Sequence, residues 1–172
     1  LGLSGGPLEQ DPLASELAPE SRYLITHDAA IALTGALAGE PGVIVIAGTG
    51  SIAFGRNTAG ETARAGGWGY IFGDEGGAFD LVRQALRAAL RHEEGWGAPT
   101  RLRDSLLEAT GASDVNNLMH RFYTPEYSRD RIASYAKLID SDAAAGDAVA
   151  RDLFLAAAQA LAILAASVKH RL

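Results

Sequence analysis

Three short stretches of the chain carry residue types able to do chemistry. Asp28 closes Thr26-His27-Asp28, just past the apolar run Tyr23-Leu24-Ile25. A carboxylate at the end of a buried strand lies where α/β folds place ligands, and it can take a proton from a substrate hydroxyl within hydrogen-bond reach. Asp is also a preferred helix N-cap, and on position alone the cap outweighs the base; His27 reads as a packing or hydrogen-bonding residue. The second stretch is Gly48-Thr49-Gly50-Ser51. Its glycines would let backbone amides approach phosphate oxygens, and its two hydroxyls add donors with little bulk. No Lys follows, so it is not a Walker A loop, and a glycine turn between two strands explains the same residues equally well. The third runs from Gly66 to Gly77, with six glycines in twelve positions around Trp68, Asp74 and Glu75. So many glycines raise the entropy lost on folding, which favours a functional reason. Two acids before two glycines could face a polyhydroxylated ligand or metal-bound water, and Trp68 offers a face of the kind that stacks on sugars. Acids favouring the dipole of a following helix are the bland alternative.

The elements that must position these stretches follow from the patterning. Tyr23-Leu24-Ile25 reads as a strand, and Ala29 to Ala38 as a helix stopped by Gly39, Pro41 and Gly42. Val43 to Ala47 is a continuous β-branched run, the sign of a strand buried on both faces. Strand, helix and strand in that order predict a βαβ unit with a parallel pair. The glycine turn at 48–51 then leads into a strand from Ile52, and Asn57 to Gly60 turns the chain back into a partner over Glu61 to Ala65. From Asp74 the pattern becomes helical, with Phe79, Val82, Leu86, Ala89 and Leu90 on the apolar face. Further helices are predicted after Thr100 to Gly111, over Asp114 to Phe122, from Ser128 through Ile139, and from about Asp147 through Val168. Their apolar stripes are packing faces.

Composition bounds the rest. The chain has 172 residues, 48% apolar and 21% charged, which are globular proportions, and at roughly 150 residues per domain its length suits one domain or a piece of a larger protein. Fifteen Lys and Arg against 21 Asp and Glu give a formal charge of −6, the wrong sign for a nucleic-acid backbone binder. With no cysteine, disulfide scaffolds, thiolate metal sites and cysteine-held iron–sulfur clusters are excluded from this stretch. No apolar run approaches the roughly 18–20 residues needed to span a bilayer, so no membrane contact is expected. The start at Leu1-Gly2-Leu3 shows no initiator Met and no signal-peptide pattern, as if internal to a longer protein.

Five segments in order, Leu1-Gly2-Leu3-Ser4-Gly5-Gly6, Thr26 to Ala30, Gly48 to Ser51, Gly66-Gly67-Trp68-Gly69 and Gly73-Asp74-Glu75-Gly76, resemble the N-acetylglucosamine kinases and their bacterial relatives, the BadF/BadG/BcrA/BcrD-type ATPases. The resemblance is densest from Leu1 to about Gly97 and mainly helical beyond. It implies an α/β fold of the RNase H-like, actin-like sugar-kinase type, with two lobes and a ligand cleft between them. Residues 1–40 would end the first lobe, and 41–172 would form most of a second lobe, helix-rich over 75–170. It further implies Asp28 as the general base toward a sugar hydroxyl. Thr49, with Gly48, Gly50 and Ser51, would bind the ATP phosphates, Gly67 and Trp68 would line the substrate, and Asp74 would hydrogen-bond sugar hydroxyls, with Glu75 in support. ATP and Mg²⁺ are the implied cofactors and no metal ligand is assigned in this chain. An amino sugar is the implied partner and the cytoplasm the implied location, and the family pattern is compatible with a homodimer.

The family's first phosphate-binding hairpin, with its Mg²⁺-associated acid, and its adenosine segment have no counterpart between Leu1 and Leu172. The chain is therefore expected to be an internal fragment that does not turn over ATP alone. Absent cysteines count against the cluster-bearing activator ATPases and against relatives with a cysteine–histidine zinc site. An N-acetylglucosamine or glucosamine kinase is the reading that remains. A non-catalytic sugar-sensing regulator and an ATPase module serving a protein partner are the alternatives.

Overall fold

Parallel pairing appears first at the amino-terminal end of the fold. In a computed structural model, which describes residues 2–3, 12, 15–16 and 26–172, β1 (Gly2–Leu3) pairs in parallel with β2 (Thr26–His27), Gly2 opposite Thr26 and Leu3 opposite His27. Tyr23-Leu24-Ile25 and Ser4-Gly5-Gly6 lie outside the described residues. Helix α1 (Asp28–Leu37) follows, burying Ala29 and Leu33, and ends where Ala38 and Gly39 turn left-handed at φ 50° and 87°. The second sheet has the order β3 (Gly42–Ala47), β4 (Ser51–Arg56), β5 (Thr62–Gly66). Three residues separate β3 from β4, so the two must run antiparallel, because a parallel neighbour needs a crossover of a dozen residues or more.

Among the described residues β3 hydrogen-bonds to β4, and β2 to β1; Tyr23-Leu24-Ile25, the strand expected to pair with β3, is outside them. The expectation that β3 is buried on both faces is corrected. As an edge strand it has no fully buried residue, and Val45 is 40% exposed. The alternating burial belongs to the central strand β4.

Beyond β5 the chain is helical: α2 (Ala78–Glu93), α3 (Leu102–Thr110), α4 (Val115–Phe122), α5 (Arg129–Ser134), α6 (Ala136–Ala144) and α7 (Ala148–Arg171). Asp114 caps α4 through the Asn117 amide and Ser128 caps α5 through that of Arg131, as their residue types predict. Helix α2 starts at Ala78, not Asp74. Asp74 (φ 63°) and Gly76 (φ 78°) are left-handed, so the two acids sit in a turn ahead of the helix. The predicted helix from Ser128 breaks at Tyr135 into α5 and α6. Helix α7 is long and apolar enough to cross a membrane by length and composition alone, although no uninterrupted apolar run in it reaches that length. Alanines dominate it, and Gln159 interrupts the apolar run without lowering the average enough to matter.

The chain divides into two compact units. One comprises residues 1–46, 52–65 and 164–172, and its small core of Ala53, Ala63 and Val168 is joined by Val43, Leu164 and Leu172. The other comprises 47–51 and 66–163, with a larger core in which Leu81, Val82 and Ala85 of α2 meet Leu102, Leu106, Leu118, Ile132 and Ile139.

In this second unit Asp147 ties two helix starts together. It is 7% exposed; its Oδ2 accepts from the Thr100 hydroxyl (2.9 Å) and the Arg101 amide (2.6 Å), and its Oδ1 accepts from the Ala150 amide (2.9 Å). Desolvation pushes this carboxyl's pKa up, but the hydrogen bonds from Ala150, Arg101, Thr100 and Val149 outweigh it and hold the group below its ordinary 3.8. Asp147→Ala should cost about 2–3 kcal/mol, one helix cap at each of two starts plus buried donors left unpaired. Because the folded pKa is depressed, the stabilisation is complete above pH 3.8 and is lost as pH falls through the lower folded value. Urea midpoints of wild type and Asp147→Asn should therefore differ at neutral pH and converge in acid.

Candidate active site

The turn between β3 and β4 is stitched to the start of α2 by backbone alone. Gly48 donates to the Gly50 carbonyl (2.9 Å), while the Gly48 and Thr49 carbonyls accept from the amides of Ala78 (2.8 Å) and Phe79 (3.1 Å). These bonds satisfy two of the four amides that a helix start leaves unpaired. They also fix the turn against the glycine-rich segment 66–77.

Asp74 is the acid that this arrangement brings to the turn. It is 5% exposed and its carboxylate lies directly on Gly50: a Cβ at Gly50 would stand 2.6 Å from Asp74 Cγ. Gly77 is equally constrained, since its own Cβ would meet Gly50 Cα at 2.8 Å. The glycines at 50 and 77 thus allow two backbone segments and one carboxylate to occupy the same small volume. Gly48 differs, because a Cβ there meets nothing within 4 Å. That open face is where a phosphate could approach the turn.

Both hydroxyls of the turn already give their protons to acceptors within the protein. Thr49 Oγ1 donates to Asp130 Oδ1 (3.0 Å), and Ser51, 4% exposed, donates from Oγ to the Glu75 carbonyl (2.7 Å). A hydroxyl has a single proton to give, so what the turn can offer a phosphate is chiefly the backbone amides of Thr49 and Gly50. Among the described residues no group of three or more His, Asp or Glu is placed to hold a metal. Mg²⁺ commonly needs only one or two carboxylates when phosphates supply the rest, and Asp130 beside Thr49 and Asp74 beside Gly50 are the carboxylates next to this turn.

The remaining predicted residues divide between the two units. Gly67 (φ 70°) donates its amide to the Ser51 carbonyl (2.9 Å), and Trp68 is 65% exposed, as is Ile71, with Phe72 at 83%. Gly48, Thr49, Gly50, Ser51, Gly67, Trp68 and Asp74 all belong to the helical unit. Asp28 belongs to the other unit: exposed, it is the first residue of α1, and its Oδ1 accepts from the Ala29 amide (2.8 Å).

Sequence reasoning missed Arg129 and Asp130, the first two residues of α5. Arg129 Nη2 stands 4.0 Å from Asp74 Oδ2, and its guanidinium lies over the Tyr70 ring at 5.7 Å. Charged residues after a capping serine look like a solvated helix start, and no local spacing pairs them with a turn 81 residues away. An open cavity beside His92, Thr100, Arg101 and Asp147 contains none of the predicted site residues; it belongs to the junction of α3 and α7.

The sequence profile of the BadF/BadG/BcrA/BcrD ATPase family matches residues 4–172. An N-acetylmuramic acid/N-acetylglucosamine kinase from Clostridium acetobutylicum is 36% identical over 140 residues, covering 81% of this chain and 46% of its own length. An N-acetyl-D-glucosamine kinase from Dictyostelium discoideum is 34% identical over 180 residues, covering the whole chain and 56% of its own length. The crystal structure of a Chromobacterium violaceum protein assigned as an N-acetylglucosamine kinase superposes with a TM-score of 0.80 at 30% identity, over 97% of this chain and 58% of that one. The chain spans about half the length of the curated relatives it matches.

Proposed function

The chain belongs to the BadF/BadG/BcrA/BcrD ATPase family, and on that premise we propose that the whole protein phosphorylates an amino sugar, N-acetylglucosamine or glucosamine, with ATP. The observation that carries the reading is the buried Asp74 carboxylate lying directly on Gly50 of the 48–51 turn. A group suited to sugar hydroxyls is thereby set beside a turn suited to phosphate. The kinases named among the relatives favour the same chemistry.

In this reading the fold is the actin-like one, with residues 1–40 ending one lobe and 41–172 forming most of the other. Asp28 takes the proton from the sugar hydroxyl as its oxygen bonds to the γ-phosphorus and the bond to the bridging oxygen of ADP breaks. Phosphoryl transfer depends mainly on positioning and charge neutralisation. Backbone amides at 49 and 50 with the open face at Gly48 suit the first need, and Mg²⁺ bound with ATP would supply most of the second. Gly67 and Trp68 would line the sugar, and Asp74 would orient its hydroxyls.

The test is ADP release by the whole protein with glucosamine, N-acetylglucosamine or glucose added. Sugar-dependent release with an equal amount of phosphosugar is expected. Release indifferent to sugar would favour an ATPase serving a protein partner, and sugar binding without release would favour a sensor.

A further inference from the structure

Asp74 is a buried carboxylate, and the cation nearest to it comes from a different element. Arg129 is anchored where it is by a sequence of contacts within the helical unit. Asp80 Oδ1 accepts from Arg83 Nη2 (2.6 Å), Arg83 Nη1 donates to the Tyr70 carbonyl (3.1 Å), and Tyr70 packs edge-on against Phe79 at 5.2 Å. The Tyr70 ring in turn carries the Arg129 guanidinium, whose Nη2 stands 4.0 Å from Asp74 Oδ2. Arg129 is itself 42% exposed, so ordering its side chain has an entropic cost that the Tyr70 face helps offset. Its neighbour Asp130 holds the Thr49 hydroxyl. The first turn of α5 thus reaches both halves of the candidate site.

We propose that Arg129 is a positioning residue for sugar binding: it fixes the Asp74 carboxylate against Gly50 so that it meets the sugar hydroxyls in a single orientation. This rests on the reading of Asp74 as a sugar-binding acid. A carboxylate held on one side by backbone and on the other by a stacked guanidinium has little freedom to turn. Removing the cation leaves a buried charge uncompensated and free to seek another partner. Arg129 touches no reacting atom in this scheme, so its removal should appear in KM for the sugar far more than in kcat or in KM for ATP.

The experiment is a double-mutant cycle in the whole protein, read as steady-state KM and kcat for N-acetylglucosamine and for ATP. Arg129→Gln should raise the sugar KM about tenfold and change the ATP KM less than twofold. Arg129→Lys, which keeps the charge but not the planar fork, should recover part of the loss. If Arg129 acts through Asp74, then Asp74→Asn combined with Arg129→Gln should be no worse than Asp74→Asn alone. A sugar KM within twofold of wild type in Arg129→Gln, or losses that add in the double variant, would overturn the proposal while leaving Asp74 in its role. An Asp74→Asn protein with unchanged sugar KM would instead remove the reading on which the proposal rests. Thermal midpoints of the Gln and Lys variants separate loss of positioning from loss of fold: equal midpoints with unequal sugar KM support positioning, and KM changes that track the midpoint contradict it.

Discussion

Asp28→Asn is expected to lower kcat for sugar phosphorylation roughly 100- to 10,000-fold, the usual contribution of a positioned general base. The substitution is informative because it separates the two roles that position 28 could play. Asn keeps a side-chain oxygen that can accept the Ala29 amide, as Asp28 Oδ1 does at 2.8 Å. It removes only the charge from the first turn of α1, which matters by about 0.3–1 kcal/mol at an exposed site. If position 28 served only the helix start, the protein would lose a little stability and no rate. If it is the base, the fold and ATP affinity survive and turnover does not. Single-turnover phosphosugar formation, measured beside a thermal melt, reads both quantities on the same sample.

Gly50→Ala should be the most damaging single change at the turn. Its Cβ would fall 2.6 Å from Asp74 Cγ, inside van der Waals contact, and the short Asp side chain has no flexible far end to swing clear. The carboxylate must leave its place or the turn must move away from Gly77, and overpacking of this kind costs about 1–3 kcal/mol. Loss of sugar affinity should accompany the loss of stability, since the same collision displaces Asp74. Gly48→Ala provides the contrast. Its Cβ enters open space, so the fold should be indifferent, whereas a phosphate drawn to that face would be obstructed. The expected pattern is a lowered melting point with weakened sugar binding for Gly50→Ala, and an unchanged melting point with weakened ATP binding for Gly48→Ala. Titrations of each ligand against each variant check it.

Much of the local structure around the candidate site was written in sequence. Gly48 to Ser51, between the β-branched run Val43 to Ile46 and Ile52-Ala53-Phe54, implies a tight turn joining strands, and it joins β3 to β4. Ser128 and Asp114 announced helix starts, and Gly111 a left-handed stop at φ 64°. What local sequence could not supply was pairing and reach. The run Val43 to Ala47 has the composition of a central strand, yet which strand becomes central is decided by partners elsewhere, and here β4 takes that place. The apolar spacing from Phe79 onward extends a helical pattern back to Asp74, but a left-handed backbone at φ 63° keeps Asp74 in the turn ahead of the helix. Arg129 and Asp130 had no local signature at all, because their significance lies in contacts spanning 55 and 81 residues of chain. The hydroxyls of Thr49 and Ser51 looked like ligand donors until their partners, Asp130 and the Glu75 carbonyl, became visible.

The proposed function requires that one amino sugar contact Asp28 and Asp74 and that one triphosphate contact the 48–51 turn. A crystal structure of the whole protein with N-acetylglucosamine and a non-hydrolysable ATP analogue tests this directly. The predicted result places an Asp28 carboxylate oxygen about 2.6–3.2 Å from one sugar hydroxyl, Asp74 on a second hydroxyl, and the terminal phosphate against the amides of the turn. A sugar bound without contact to either acid, or a terminal phosphate seated away from residues 48–51, would contradict it.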